Sequence, residues 1–102
     1  MKLTTCFDSY LIDNGLWVYK FNVENVDKKY VKEAKRIDGD NYWDKCFALR
    51  VYYQEAREDE ESYLECSILY ITDDGTDLEF DYNPTKEEEK WLYDYVGKES
   101  KL

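Results

Sequence analysis

The chain contains no histidine, one proline and three cysteines. Without His there is no Ser-His or Cys-His nucleophile pair, no imidazole metal ligand and no imidazole pH switch. Cys6, Cys46 and Cys66 offer no C-x-x-C spacing, and each falls in an apolar segment. The expectation is three reduced, buried thiols in a cytosolic protein, not a disulfide framework or a zinc site. With only Pro84 and four glycines there is no Pro- or Gly-rich linker, and no internal repeat is present. Met1-Lys2 leads into polar Thr4, Thr5 and Asp8, so no secretory signal is expected. The apolar run Leu16–Tyr19 is as long as any in the chain. A membrane-spanning helix needs about 20 apolar residues, so no membrane partner is expected.

What the chain has is aromatics and acid. Of 102 residues, 18% are Phe, Trp or Tyr, and the net charge is -10. That aromatic load excludes disorder over most of the length and suits one small domain with one modest core. Charge is unevenly spread. Residues 1–50 hold 9 Lys or Arg and 8 Asp or Glu, whereas residues 51–102 hold 5 and 16. A half-chain that acidic repels nucleic acid and anionic lipid and attracts basic surfaces.

Leu3 to Ile12 reads as a strand, and Asn14-Gly15 is the strongest short hairpin signal because both residues tolerate positive φ. Leu16 to Val23 is the return strand, and a two-residue loop sets Ile12 opposite Trp17 and Tyr10 opposite Tyr19. Asn25 is a predicted N-cap for a helix over Val26–Ile37, with the stripe Val26, Tyr30, Ala34 and Ile37 facing the core. Lys28, Lys32, Lys35 and Arg36 line its other side. Cys46–Arg57 and Ser62–Thr72 alternate as strands, and a tight acidic connection pairs Arg57 with Ser62, Val51 with Ile68 and Leu49 with Tyr70. The next connection is decided by faces. A two-residue loop turns Leu78 and Phe80 away from the core, whereas a three-residue loop, Asp73-Asp74-Gly75, keeps Leu78, Phe80 and Tyr82 inside. Thr85-Lys86-Glu87-Glu88 has capping-box spacing, opening a helix over Lys86–Val96 with Gly97 just past its end. The prediction is a single α+β domain, ββαβββα, with an antiparallel sheet of about five strands and two helices.

No residue pattern supports catalysis. The outward carboxylates Asp77, Glu79 and Asp81 lack the cleft that acid–base work needs. Asp38-Gly39-Asp40-Asn41 and Asp73-Asp74-Gly75-Thr76-Asp77 lack EF-hand spacing and read as turns, so no metal or cofactor is expected. The basic face at Lys28–Arg36 has neither a basic domain nor a nucleic-acid motif around it and reads as a solvated face, so no direct nucleic-acid partner is expected.

The acidic array is the most specific feature. Carboxylates at i and i+2 of a strand stand about 6.6–6.8 Å apart on one face. Asp77, Glu79 and Asp81 form such a row. Asp73 and Asp74 extend it at one end, and Glu58, Asp59, Glu60, Glu61 and Glu65 at the other. The predicted register sets Arg50, Leu69 and Glu79 in one outward row, with Ala48, Ile71 and Asp77 beside it. An apolar strip with Tyr52 then borders the carboxylates, as at protein–protein interfaces. In the bland alternative the second helix covers this strip and the acids only keep the protein in solution.

In size, charge and composition over the whole chain, the sequence is similar to small acidic inhibitors carried by phages and mobile elements. These include anti-CRISPR and anti-restriction proteins, some of which mimic DNA. The resemblance transfers no individual residue. It implies a stoichiometric inhibitor of a basic nuclease or defence complex. An immunity protein that neutralises a nuclease toxin has the same physics. A non-catalytic structural or assembly module is the alternative from another class. Oligomeric state is left open.

Overall fold

The elements follow the expected order: β1 (Lys2–Asp13), β2 (Leu16–Glu24), α1 (Lys28–Asp38), β3 (Phe47–Gln54), β4 (Tyr63–Ile71), β5 (Asp77–Tyr82) and α2 (Lys86–Glu99). They come from a computed structural model that describes residues 1–99. All five strands pair antiparallel, in chain order β1-β2-β3-β4-β5, so β1 and β5 are the two edges. Among the described residues, no helix is long and apolar enough to cross a membrane.

Alternation builds the core. Tyr19 and Phe21 of β2, Phe47, Leu49 and Val51 of β3, and Ile68 and Tyr70 of β4 point to one face. Tyr30 and Ala34 of α1 and Leu92 and Val96 of α2 close over them. Phe21 meets Trp91 and Tyr95 edge-on at 5.5 and 5.2 Å, and Tyr30 meets Phe80 at 5.4 Å. Both helices therefore lie on the same side of the sheet. Tyr70 is the buried polar joint. Its hydroxyl donates to Asp38 Oδ2 at 2.7 Å and accepts from Trp43 N at 3.1 Å, tying the end of α1 to β4.

The turn chemistry explains most boundaries. Gly15 and Gly75 sit at φ 78° and 88°, where a side chain is strained. Thr72 N donates to Thr76 O at 2.9 Å, so the β4–β5 loop is the three-residue Asp73-Asp74-Gly75. Tyr70 then faces Leu78 and Ile68 faces Phe80, as the face argument required. The capping box is present in both directions: Glu88 N donates to Thr85 Oγ1 at 3.1 Å, and Thr85 N donates to Glu88 Oε1 at 2.9 Å.

Several expectations are corrected. Leu16 does face Asp13 across Asn14-Gly15, but three register irregularities interrupt β1, so Leu11 lies opposite Trp17 and Tyr10 opposite Val18. Bulges are common on edge strands, and here Leu3 and Cys6 still pack against the core while residues 7–13 stay exposed. The α1 N-cap is Asp27, whose carboxylate accepts from Lys29 N, while Asn25 takes a left-handed φ of 56° in the preceding loop. Ile37 of the predicted stripe is exposed, and half-buried Val31 packs against the core beside Tyr30 and Ala34. Gly97 lies inside α2 and does not end it. The β3–β4 pairing is displaced by two residues: Leu49 faces Ile68, and Arg57 bridges to Glu60. Displacement by two preserves every face and changes every neighbour. The three thiols are free, as expected, but half-buried rather than buried.

Candidate binding edge

Asp77, Glu79 and Asp81 all point away from the helices and are exposed on the outer strand. They alternate with Leu78, Phe80 and Tyr82, which pack against the core, so burial of one set fixes the outward direction of the other. Among the described residues, both helices pack on the opposite face, through Tyr30, Ala34, Leu92 and Val96, which overturns the alternative in which α2 shields this strip. At a step of about 6.7 Å, neighbouring carboxylates repel by roughly 0.6 kcal/mol in a water-like dielectric. Such a cost is small against the packing of the three apolar partners behind them.

The cross-strand rows differ from the sequence expectation. Leu69 lies between Ala48 and Glu79, Ser67 lies between Arg50 and Asp81, and Ile71 faces Asp77. The apolar strip is thus Ala48 with Leu69, both buried, and exposed Ile71. Arg50 divides it from Tyr52. The Arg50 guanidinium reaches diagonally to Glu79 Oε2 at 2.6 Å and stacks 5.0 Å above the Tyr52 ring. Its side chain is 18% exposed and that of Glu79 is 51%. Glu79 is therefore partly neutralised from within, while Asp77 and Asp81 form no ion pair among the described residues. Arg50 Nε and Ser67 Oγ, both buried, have no hydrogen-bond partner. Lys20 continues the Arg50 row on β2 and pairs with Asp8 at 3.9 Å. The sequence reading did not anticipate this central basic pair. Its signal was available: Lys20 and Arg50 each interrupt an apolar strand at an outward position.

The remaining acids fall into two groups. Asp73 and Asp74 continue the β5 row around the β4–β5 turn. Asp74 is committed to the turn, accepting from Thr76 N at 2.9 Å and from the Thr72 hydroxyl. Those donors, the Thr72 hydroxyl first, hold its carboxyl below the usual aspartate value. The Asp73 main-chain N–H donates to Asp38 Oδ1 at 3.2 Å, leaving its own side chain exposed. Glu58, Asp59, Glu60 and Glu61 lie at the opposite end, on the β3–β4 tip. Arg57 anchors that tip by donating to Asn14 O at 2.8 Å. Because β5 ends at Tyr82 opposite Cys66, Glu65 is the one strand carboxylate between the two acidic groups, facing Tyr52. The contiguous surface is thus Asp73, Asp74, Asp77, Glu79 and Asp81, with the 58–61 tip a separate patch.

Among the described residues, no group of three or more Cys, Asp or Glu is placed to hold a metal ion. The cleft of about 410 Å³ between Val23–Val26 and Tyr42–Phe47 lies on the α1 side and contains no residue of the acidic row. No family model, no curated protein and no solved structure matches the chain.

Proposed function

We propose that the protein is a non-catalytic inhibitor that sets its acidic β5 edge into the nucleic-acid-binding surface of a basic nuclease or defence effector. The observation that carries this reading is the exposed row Asp77, Glu79 and Asp81 on the outer strand of the sheet, continued by Asp73 and Asp74. Its step is about twice the 3.4 Å axial rise per phosphate of one DNA strand, and the path between phosphates is longer than the rise. A channel built to hold a line of phosphates presents Lys and Arg at comparable intervals. Charge steering makes such association fast and salt-sensitive. The reduced state of the three thiols is compatible with action in the cytoplasm.

The second reading, a structural module whose acids only guard a sheet edge, gains weight from one contact. Arg50 already pairs with Glu79, and alternating edge charges discourage strand addition by another chain. Affinity capture from host extract at low and high salt separates the two. The inhibitor reading expects a basic nucleic-acid enzyme that is lost as salt rises and is displaced by competing DNA. Capture that is insensitive to both salt and DNA supports the structural module.

A further inference from the structure

We infer that the outer edge of β1 is the interface between two copies of this chain, paired as antiparallel strands into one continuous sheet. Phe7, Tyr10, Leu11 and Ile12 lie within six consecutive residues of β1 and are 53%, 43%, 53% and 52% exposed. Leu11 faces Trp17 on the helix side, whereas Tyr10 faces Val18 on the open side. A partner layered on either face of the sheet covers only one of them. A strand added along the edge has side chains on both faces and covers both, while its main chain pairs with the free N–H and C=O groups.

Charge selects the occupant. Over Lys2–Asp13 the strand carries one Lys and two Asp, whereas β5 carries three acids and no cation. A basic partner is drawn to β5 and gains little at β1. A second copy, by contrast, meets an apolar, nearly neutral strand identical to its own. Pairing through β1 also sends the two acidic β5 edges to opposite ends of the joined sheet, where two chains of net charge -10 repel least. Edge strands that must stay single carry inward Lys, Pro, dense charge or bulges. From Ser9 to Leu11 this one carries none. From Asp8 to Leu11 the pairing with β2 is unbroken, so this segment is regular enough to template a neighbour.

The area is adequate. Large aromatic side chains such as Phe7 and Tyr10 bury about 150–250 Å² each and Leu11 and Ile12 nearly as much, so the four groups left half exposed offer roughly 400 Å² per copy. That is half of the roughly 800 Å² a standard interface takes from each partner. The backbone edge of a 12-residue strand and the side chains flanking it contribute the rest.

Sedimentation equilibrium of the full chain at low and high salt tests the inference. The expected result is a species of twice the 12.4 kDa chain mass. Its dissociation constant falls as salt screens the repulsion, the opposite of the salt response expected for a basic partner on β5. Tyr10→Lys with Leu11→Lys weakens the dimer by about tenfold or more, because it desolvates charge in an apolar contact. An unchanged thermal melt confirms that the variant folds. Hydrogen exchange of the unaltered chain gives an independent reading: amides of Asp8–Leu11 gain protection as concentration rises. A monomer at every concentration in high salt overturns the inference. So does a dimer that the Lys substitutions leave intact, or one abolished by neutralising Asp77, Glu79 and Asp81.

Discussion

The two edges of one sheet solve the same problem in opposite ways. β5 is short, with three core-facing apolar residues and three outward carboxylates in strict alternation. β1 is twice as long, interrupted by three register shifts, and exposes apolar groups on both faces. An edge that packs inward has its parity set by burial and can devote its outer positions entirely to charge. On β1 only the first half, at Leu3 and Cys6, packs against the core, and from Phe7 onward apolar side chains stay in water. The roles proposed above rest on that difference: a charged partner for β5 and an apolar one for β1.

The sharpest way to break the contrast is one substitution at each edge. Phe80→Ala removes a ring packed against Tyr30 and the sheet core, and the expected loss is about 3 kcal/mol in urea unfolding. Phe7→Ala removes a half-exposed ring, with an expected change under about 1 kcal/mol in the monomer. Comparable losses at both sites would erase the distinction between a packed and an unpacked edge.

The phenols behind the acidic edge give a slightly smaller effect. Burial, with the hydrogen bond to Asp38 next, pushes the Tyr70 phenol from near 10 to about 12. Burial first, then Glu88, also pushes Tyr82 upward. In the unfolded chain Tyr70 loses its proton near pH 10, whereas the folded chain retains it. The stability held below pH 10 is therefore lost as pH rises toward 12, by about 2–3 kcal/mol for Tyr70 alone. Denaturation at stepped alkaline pH checks this, and Tyr70→Phe flattens that part of the profile at a cost in the Asp38 and Trp43 contacts.

Two smaller effects sit at the β5 surface itself. The lowered Asp74 carboxyl stabilises the fold above its unfolded value, and that contribution disappears as pH falls through the lower folded value. Asp74→Asn removes this acid-limb component, and carboxyl NMR titration resolves it directly. Glu79→Gln breaks the Arg50 pair, and since Glu79 is half exposed the change in melting stability stays within about 1 kcal/mol.

What the sequence disclosed follows from which constraints are local. The capping box at Thr85–Glu88 and the loop at Asp73–Gly75 were legible because each rests on a few neighbouring residues and one face rule. The outward direction of Asp77, Glu79 and Asp81 came from the same rule. The β3–β4 register was not legible. Alternation has a period of two, so it fixes faces and leaves neighbours free to shift by two residues. That shift moved Arg50 opposite Ser67 and made the Arg50–Glu79 contact a diagonal one. On β1, the pattern Cys6, Asp8, Tyr10, Ile12 suggested a regular strand. The bulges, two of which flank core-packed Cys6, leave no mark in that alternation. The α1 N-cap was misplaced because Asn25 and Asp27 both suit the position. Asn25 instead takes the left-handed turn that Asn tolerates.

The central claim is that the β5 row binds by position and not by net charge alone. The direct measurement compares two charge-matched triples for binding to the captured basic enzyme. Asp77→Asn, Glu79→Gln and Asp81→Asn together remove three charges from the edge. Glu87→Gln, Glu89→Gln and Asp94→Asn together remove three exposed charges from α2 and spare the Glu88 cap. Desolvated charge pairs couple by about 1.5 kcal/mol or more, so the edge triple is expected to weaken binding by at least about a hundredfold. The helix triple is expected to weaken it by a few-fold, with both proteins melting close to the unaltered chain. Equal losses from the two triples, or no loss from the edge triple in a folded protein, would contradict the account.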